Sequence, residues 1–165
     1  MSATPAAYIA FSAPINPSGA SPVLTKAQIY ACLHRKVRHA EEFVAGAIKA
    51  TDVLSESTDE HGREVVTREV VFAEGDRRVK EVCTSFGGVK TEFIQPDRSK
   101  ILNIVSDSAD GQLYLTYQFE WLMPKDTPEE TQKENTEKWT KMSKMAVEGS
   151  IKAMREMVSD GRIKA

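Results

Sequence analysis

Two adjacent glycines in the stretch "CTSFGGVKTEFI", residues 83–94, are the first candidates for chemistry in this chain. Glycines between a strand and a helix can cradle a phosphate group, because the N–H groups of the helix N-terminus then meet the anion. Here "VKTEFI" follows, and its alternation of apolar and polar side chains predicts a strand. Gly87 and Gly88 are therefore predicted to form the two-residue turn of a β-hairpin, and no nucleotide site is expected.

Metal binding and nucleophilic catalysis find little support in the residue spacing. The histidines are His34, His39 and His61, and none has a partner at metal-ligand spacing. Cys32 and Cys83 show neither zinc-ligand spacing nor a disulfide framework. No G-x-S-x-G nucleophile elbow occurs. We therefore expect no metal and no cofactor.

General acid–base chemistry has three candidates: Tyr117, Arg68 and Glu69. For Arg68 and Glu69, two strand registers are possible. A two-residue loop at residues 75–76 turns Glu69 towards the apolar face of the sheet, and a three-residue loop turns Arg68 there. Such a charge either lines a pocket, where its pKa is perturbed, or is turned to solvent by a bulge.

The elements that must position these residues follow from the hydrophobic period. Residues 6–15 alternate like a strand. Residues 24–43 read as a helix that Thr25 and Gln28 begin with a capping box, and a second short helix follows, ending near Gly46. About six β-rich runs separated by short turns fill residues 48–123, which predicts an antiparallel sheet.

A single long helix is predicted at the C-terminal end, with Thr127 as its N-cap and its end near Gly161. One side of this helix carries methionines and small residues in place of the leucine and isoleucine of a tight core. The stripe consists of Trp139, Met142, Ala146, Gly149, Ala153 and Met157. Small residues leave space and methionine adapts to irregular shapes, so the helix either roofs a cavity or fills the core loosely.

The predicted turns also decide which sheet face is buried. Two-residue loops at Gly87–Gly88 and Asp110–Gly111, joined by a four-residue turn at 96–99, bring apolar residues of four strands to one face. That face is Val82, Thr84, Phe86, Val89, Thr91, Phe93, Leu102, Ile104, Leu113, Leu115, Tyr117, Phe119 and Trp121. The opposite face is polar, so one face is expected to be buried and the other solvated.

Composition and length favour one soluble domain, with a core at about residues 6–160 of the 165. Hydrophobic residues make up 41%, charged residues 28%, and the net charge is −2, which gives no electrostatic footprint for nucleic acid or an anionic membrane. No stretch approaches the roughly 20 apolar residues of a membrane span, and no secretion signal is evident. We expect a cytoplasmic monomer or homodimer without membrane insertion.

The order of elements resembles the helix-grip fold of the START-like (SRPBCC) superfamily, which includes the birch-pollen allergen type and polyketide cyclases. Within it, the chain is similar to the AtaL-like family of fungal and bacterial proteins, through "LTKAQIYACLHRKVRHAEEFVAGA", "RRVKEV" and "GQLYLTYQFEW". Arg38, Phe43, Val44 and Gly46 match its R-x-x-x-x-F-V-x-G stretch. The resemblance implies a hydrophobic cavity between sheet and long helix and, for some members, a place in secondary metabolism. It transfers no catalytic residue.

The predicted fold is α+β, a curved antiparallel sheet of six to seven strands around the long helix. We expect a hydrophobic small molecule in an internal cavity. The predicted lining is Thr84, Thr91, Phe93, Ile104, Leu115, Phe119, Trp139, Met142 and Ala146, besides Tyr117. Two functions stay open: a cofactor-free cyclase or isomerase acting on a polyketide- or terpene-like substrate, and a non-catalytic carrier. The sequence feature that separates these two functions is whether a titratable side chain points into the cavity, as the enzyme requires.

Overall fold

The computed structural model describes residues 3–44 and 46–164. These residues form one antiparallel sheet in the order β1-β7-β6-β5-β4-β3-β2. The strands are β1 (Ala6–Pro14), β2 (Ile48–Thr58), β3 (Glu64–Phe72), β4 (Arg78–Phe86), β5 (Lys90–Ile94), β6 (Lys100–Asp107) and β7 (Leu113–Leu122). The α-helices are α1 (Lys26–Arg38) and α2 (Glu129–Ser159), with short 3-10 turns at Ala40–Glu42 and Glu74–Asp76. The predicted α+β helix-grip fold is confirmed.

Helix α1 begins as its sequence predicts. The Gln28 backbone N–H donates to Thr25 Oγ1 at 3.2 Å, and the Thr25 N–H donates to Gln28 Oε1 at 3.0 Å, which completes the capping box. Ile29, Leu33 and Val37 form its buried stripe. The predicted second short helix is only a single 3-10 turn, Ala40–Glu42.

Helix α2 begins one residue later than predicted, because Pro128 occupies the N-cap position. The Thr127 hydroxyl donates instead to the Pro124 carbonyl at 2.7 Å. The helix ends at Ser159, and Gly161 follows with φ of +80°, as the sequence predicts. Its inner side packs into the main core with β7. The buried residues there include Leu115, Tyr117, Val147, Ile151, Met154 and Met157.

The glycine turn forms, but the strand register predicted from it was wrong. Gly87 and Gly88 have φ of +57° and +75°, and the Val89 N–H donates to the Phe86 carbonyl at 3.0 Å, as in a primed turn. The ladder, however, pairs Phe86 with Lys90, so Val89 is an extra residue in the strand. This one-residue shift reverses the faces of β4.

On β4, the reversal turns Glu81 and Cys83 inward and leaves Val82 exposed, contrary to the prediction. On β3, Arg68 lies opposite Glu81 in the register and faces inward. Arg68 therefore faces inward rather than Glu69, but neither predicted loop length occurs: the Phe72 N–H donates to the Arg77 carbonyl, so four residues, 73–76, form the loop. The Glu69 carboxylate lies on the outer face, where Arg78 donates to it at 2.7 Å.

Strand β6 is also reversed relative to the prediction. The turn before it is one residue shorter than the predicted four-residue turn, since the Gln95 N–H donates to the Ser99 carbonyl at 3.0 Å and only residues 96–98 form the turn. Phe93 consequently pairs with Ile101, and Asn103 pairs with Tyr117. The loop after β6 is one residue longer than predicted, since the Ser108 N–H donates to the Gln112 carbonyl at 3.0 Å, so β5 and β7 keep their predicted inner faces. The inner face of β6 carries Asn103 where Ile104 was predicted.

Candidate functional site

A cavity of about 700 Å³ lies between the inner face of the sheet and α2. Its walls come from α1, residues 42–44 and 46–48, strands β3 to β7 and one side of α2. Several of its lining residues are exposed and lie on α2, Met142 and Met145 among them, while Gly46 is exposed on the facing segment. The cavity therefore opens to solvent between α2 and the segment that follows α1.

Seven sequence-predicted site residues line this cavity: Arg68, Phe93, Tyr117, Phe119, Trp139, Met142 and Ala146. Whether they bind a ligand stays a prediction. Thr84, Ile104 and Glu69 do not line it, because the register places them on the outer face of their strands. Thr91 and Leu115 face inward as predicted but are buried in the packed interior away from the cavity.

Sequence reasoning missed Lys36, a lysine on the buried side of α1 that lines the cavity. Its side chain is 6% exposed, and its Nζ donates to Asn103 Oδ1 at 2.8 Å. The ammonium nitrogen lies 5.1 Å from the ring centre of Phe93 and 4.7 Å from that of Tyr117. Within the described residues, no carboxylate lies within salt-bridge distance of it.

Burial lowers the pKa of Lys36 to about 7, because an ammonium group loses its hydration in this site. The positive charge of Arg68 lowers the pKa further, and the carboxylate of Glu81 opposes the change. At neutral pH the amine is thus present in both protonation states, as a general acid or base requires.

Asn103 is the second polar group of the site. It is 0% exposed, and its Oδ1 accepts from Lys36, while its Nδ2 has no hydrogen-bond partner among the described residues. A buried amide donor without a partner costs about 1–3 kcal/mol, so such groups call for a specific explanation. Both residues line the cavity, where a ligand oxygen could accept from both of them.

Arg68 is held by the protein itself. Its Nε and Nη2 donate to Glu81 Oε2 at 2.9 and 2.7 Å, and its Nη1 donates to the carbonyls of Lys36 and Val37, each at 2.9 Å. Gln95 completes the network by donating to Glu81 Oε1 at 3.0 Å. The guanidinium group thus satisfies carbonyls in the last turn of α1 and holds the Lys36 backbone against the sheet.

Tyr117 also directs its polar atom towards the protein. Its hydroxyl donates to Ser150 Oγ at 2.7 Å, and both residues are buried. Burial raises the pKa of Tyr117 above its ordinary value, which keeps the phenol protonated. The ring, rather than the hydroxyl, is the part that faces Lys36.

A signal for Lys36 was present in the sequence. It lies seven residues after Ile29 and three after Leu33, so it falls within the apolar stripe of α1. A lysine in such a stripe is a candidate buried amine. No comparable signal marked Asn103, because the run "KILNIVS" has apolar residues in both strand phases.

Among residues 3–44 and 46–164, no group of three histidine, cysteine or acidic side chains could hold a metal ion. In the same part of the chain, no helix is both long and apolar enough to cross a membrane. Cys32 and Cys83 are buried thiols, and burial raises their pKa values to about 11 and about 12.

Residues 9–161 match the sequence model of the AtaL family, described as acetylaranotin biosynthesis cluster protein L. The chain belongs to the AtaL family. In the AtaL-type stretch, the Arg38 guanidinium donates to Glu56 and Glu64, which ties the end of α1 to β2 and β3. Phe43, Val44 and Gly46 line the cavity. The resemblance read from these residues is confirmed, and the stretch forms one wall of the site.

Solved structures share the fold of this AtaL-family chain at low identity. Ara h 8.0201 aligns with a TM-score of 0.55 and 11% identity over 94% of this chain and 99% of its own. A protein of unknown function, SA2116 from Staphylococcus aureus, aligns with a TM-score of 0.58 and 8% identity over 96% of this chain and 97% of its own. The di-domain ARO/CYC StfQ of the steffimycin biosynthetic pathway aligns with a TM-score of 0.59 and 11% identity over 93% of this chain and 52% of its own. A search of curated proteins found no significant match.

Proposed function

We propose that the protein binds an apolar small molecule in the cavity, with an oxygen-bearing end of the ligand against Lys36 and Asn103. One observation carries this proposal: two buried donors with unused hydrogen-bonding capacity meet at an otherwise largely apolar cavity. Ligand pockets measure about 300–1,000 Å³ and place a few polar groups on apolar walls. A volume of about 700 Å³ falls within that range.

The proposed activity is that of a cofactor-free cyclase or isomerase acting on a polyketide- or terpene-like substrate. The cavity would hold a flexible chain in a folded, reactive shape, so orientation supplies much of the rate enhancement. Lys36 would take or deliver the proton, and the Asn103 amide would hold the oxygen on which charge develops. The description of the family as a biosynthesis cluster protein and the fold shared with the ARO/CYC StfQ support this reading.

The residues first predicted as catalytic take other places in this proposal. Tyr117 and Arg68 line the cavity, but their polar atoms are bound to Ser150 and Glu81, so we assign them to shaping the site and positioning Lys36. Glu69 has no part in the site because its carboxylate lies on the outer face of the sheet.

A non-catalytic carrier is the second candidate, and one observation favours it. The hydroxyl of Tyr117 and the guanidinium of Arg68 are both committed to protein partners, which leaves Lys36 as the only titratable group with unused capacity that we assign to the ligand. A carrier needs no more than this one amine and the Asn103 amide to hold a ligand oxygen. We place either function in the cytoplasm, where the thiols of Cys32 and Cys83 would stay reduced.

Native mass spectrometry of the protein purified from its own cells, followed by organic extraction, tests the proposal. We expect a co-purifying hydrophobic compound. An Ala146→Phe variant, which fills the cavity, should lose this compound, whereas Ala10→Phe on an exposed position of β1 should keep it. A cyclised or isomerised compound supports the enzyme, and an unmodified one supports the carrier. An empty protein whose melting temperature no apolar ligand raises would contradict both functions.

A further inference from the structure

The charges around Lys36 distinguish it from a lysine that only stabilises the fold. Glu81 is the nearby buried carboxylate, and it is bound by Arg68 and Gln95. The charges of Arg68 and Glu81 cancel, so a protonated Lys36 adds an unmatched positive charge to the interior. The site therefore holds a much larger fraction of neutral amine at pH 7 than a lysine in water has, in agreement with the lowered pKa of this group.

A neutral amine in this position has a free lone pair. One N–H of Lys36 donates to Asn103 Oδ1 at 2.8 Å, which orients the nitrogen without using the lone pair. The rings of Phe93 and Tyr117 border it, and no acidic proton donor is bonded to it in the described part of the chain. Desolvated amines of this kind are nucleophiles towards carbonyl groups.

The unpaired Nδ2 of Asn103 supplies the second requirement for attack on a carbonyl. Its N–H groups are buried, lack a partner among residues 3–44 and 46–164, and belong to the same amide that accepts from Lys36. A carbonyl carbon next to Nζ would bring its oxygen within reach of this donor. The donor would stabilise the oxygen as negative charge develops on it.

From this arrangement we infer that Lys36 is a covalent site that forms an imine with an aldehyde or ketone group of an apolar ligand. The inference rests on the proposed function and names the substrate class of the same cavity. The amine lone pair adds to the carbonyl carbon, and a proton moves from nitrogen to oxygen to give a carbinolamine. Loss of that hydroxyl with a second proton from nitrogen releases one water and leaves the C=N bond. Hydrolysis of the imine returns amine and carbonyl.

Imine formation serves the proposed cyclase or isomerase chemistry directly. A protonated imine withdraws electrons from the neighbouring carbon more strongly than a ketone does, so a proton on that carbon becomes easier to remove. Carbon–carbon bond formation and double-bond migration both begin with that removal. No cofactor is needed, because the lysine itself supplies the electron sink.

Reductive trapping tests the inference with two aldehydes, decanal and 2-naphthaldehyde. The whole protein is incubated with each aldehyde and cyanoborohydride at pH 7, and peptide mapping then locates the secondary amine. We expect one adduct per chain, with labelling of Lys36 at least about tenfold above any surface lysine, because amines of ordinary pKa are almost fully protonated at this pH. Adducts spread evenly over surface lysines would overturn the inference.

Three variants sharpen the result. Lys36→Arg keeps a positive charge but should remove the adduct, whereas Lys133→Arg, at an exposed position of α2, should leave labelling unchanged. Asn103→Asp places a carboxylate against the amine and should lower labelling of Lys36 at pH 7 while restoring it at higher pH. Peptide mapping of the unaltered protein tests the inference even if one of these variants fails to fold.

Matched alcohols separate this inference from the proposed function. Decanol and 2-naphthylmethanol have the same apolar bodies but no carbonyl group, so they report on the cavity alone. If the alcohols raise the melting temperature and neither aldehyde is trapped at Lys36, the imine is overturned and the binding function stands. If neither alcohols nor aldehydes bind, the binding function fails together with the imine.

Discussion

Lys36 of α1 and Asn103 of β6 are 67 residues apart in the sequence, and one hydrogen bond of 2.8 Å joins their buried side chains. Among the described residues, nothing accepts from the remaining N–H groups of these two side chains, which are buried from water. Buried polar groups are normally satisfied, so the pair is incomplete without a ligand oxygen. This unmet capacity is the feature that the proposed binding function uses.

Stability should rise with pH above neutrality because of Lys36. Its pKa is about 7 in the folded protein and 10.5 in an unfolded chain, so between these values the unfolded state holds more protons and each increase in pH favours folding. Urea unfolding at several pH values measures this rise. In Lys36→Met the rise should disappear, and an unchanged profile in that variant would contradict the lowered pKa.

The ionisation of the two cysteines sets the highest pH at which the contribution of Lys36 can be measured by itself. The pKa values of Cys32 and Cys83 are raised from 9.0 to about 11 and about 12, so unfolded thiols ionise first and stability falls as the pH passes 9.0. The contribution of Lys36 is therefore cleanest between about pH 7 and 8.5.

Removing the buried carboxylate of Glu81 should destabilise the fold strongly. Glu81→Ala leaves Arg68 buried without a counter-charge, and breaking such a pair costs about 3–5 kcal/mol in the free energy of unfolding. The matched control is Glu69→Ala, whose partner Arg78 is exposed, with an expected loss below about 1 kcal/mol. Chemical denaturation compares the two, and equal losses would argue against a structural role for the Arg68–Glu81 pair.

Tyr117→Phe should cost stability but spare the chemistry assigned to Lys36. The change removes the hydroxyl that donates to the buried Ser150 and leaves Ser150 without this partner, for an expected loss of about 1–3 kcal/mol, while the ring beside Lys36 stays in place. Unfolding curves and aldehyde trapping measure the two effects separately. Turnover that collapses while folding and trapping persist would instead assign the hydroxyl a catalytic role.

Gly149→Ala should stabilise the protein. Gly149 lies inside α2, and an added Cβ would meet only the Phe43 carbonyl oxygen at 3.7 Å, an ordinary contact. Replacing a glycine inside a helix by alanine gains about 1 kcal/mol, or a melting temperature about 2–4 °C higher for a chain of this size. Gly161→Ala is the opposite control, since its φ of +80° disfavours any side chain, and differential scanning calorimetry should show a lower melting temperature.

Local patterns predicted the order of elements well because they depend on neighbours in the chain. The capping box of Thr25 and Gln28 formed as read, and the Gly87–Gly88 pair formed a primed turn. The alternation of β7 predicted the inward positions of Tyr117 and Phe119, since a single apolar phase dominates that strand.

The candidate site could be predicted only in part. Trp139, Met142 and Ala146 were found from the helical stripe of α2, whose methionines and small residues do line a cavity. Thr84 and Ile104 were placed in the site by wrong loop lengths: the loop before β5 is one residue longer than predicted, and the turn before β6 is one residue shorter. A single extra residue moves every side chain of a strand to the other face, so small errors in turns became large errors in the lining.

The sequence by itself was enough for the order of elements and for an apolar cavity beneath a methionine-rich helix, because both depend on local period and composition. The helix-grip fold and the AtaL family came from the resemblance of this order and of the quoted motifs to known proteins. Only the tertiary structure decided which polar groups meet in that cavity. The bulge at Val89 and the shorter turn before β6 brought Glu81 and Asn103 inward, and packing of α1 placed Lys36 against them. Contacts of this kind depend on strand register. A strand that has apolar residues on both faces does not reveal its register, which is decided only when the whole sheet assembles.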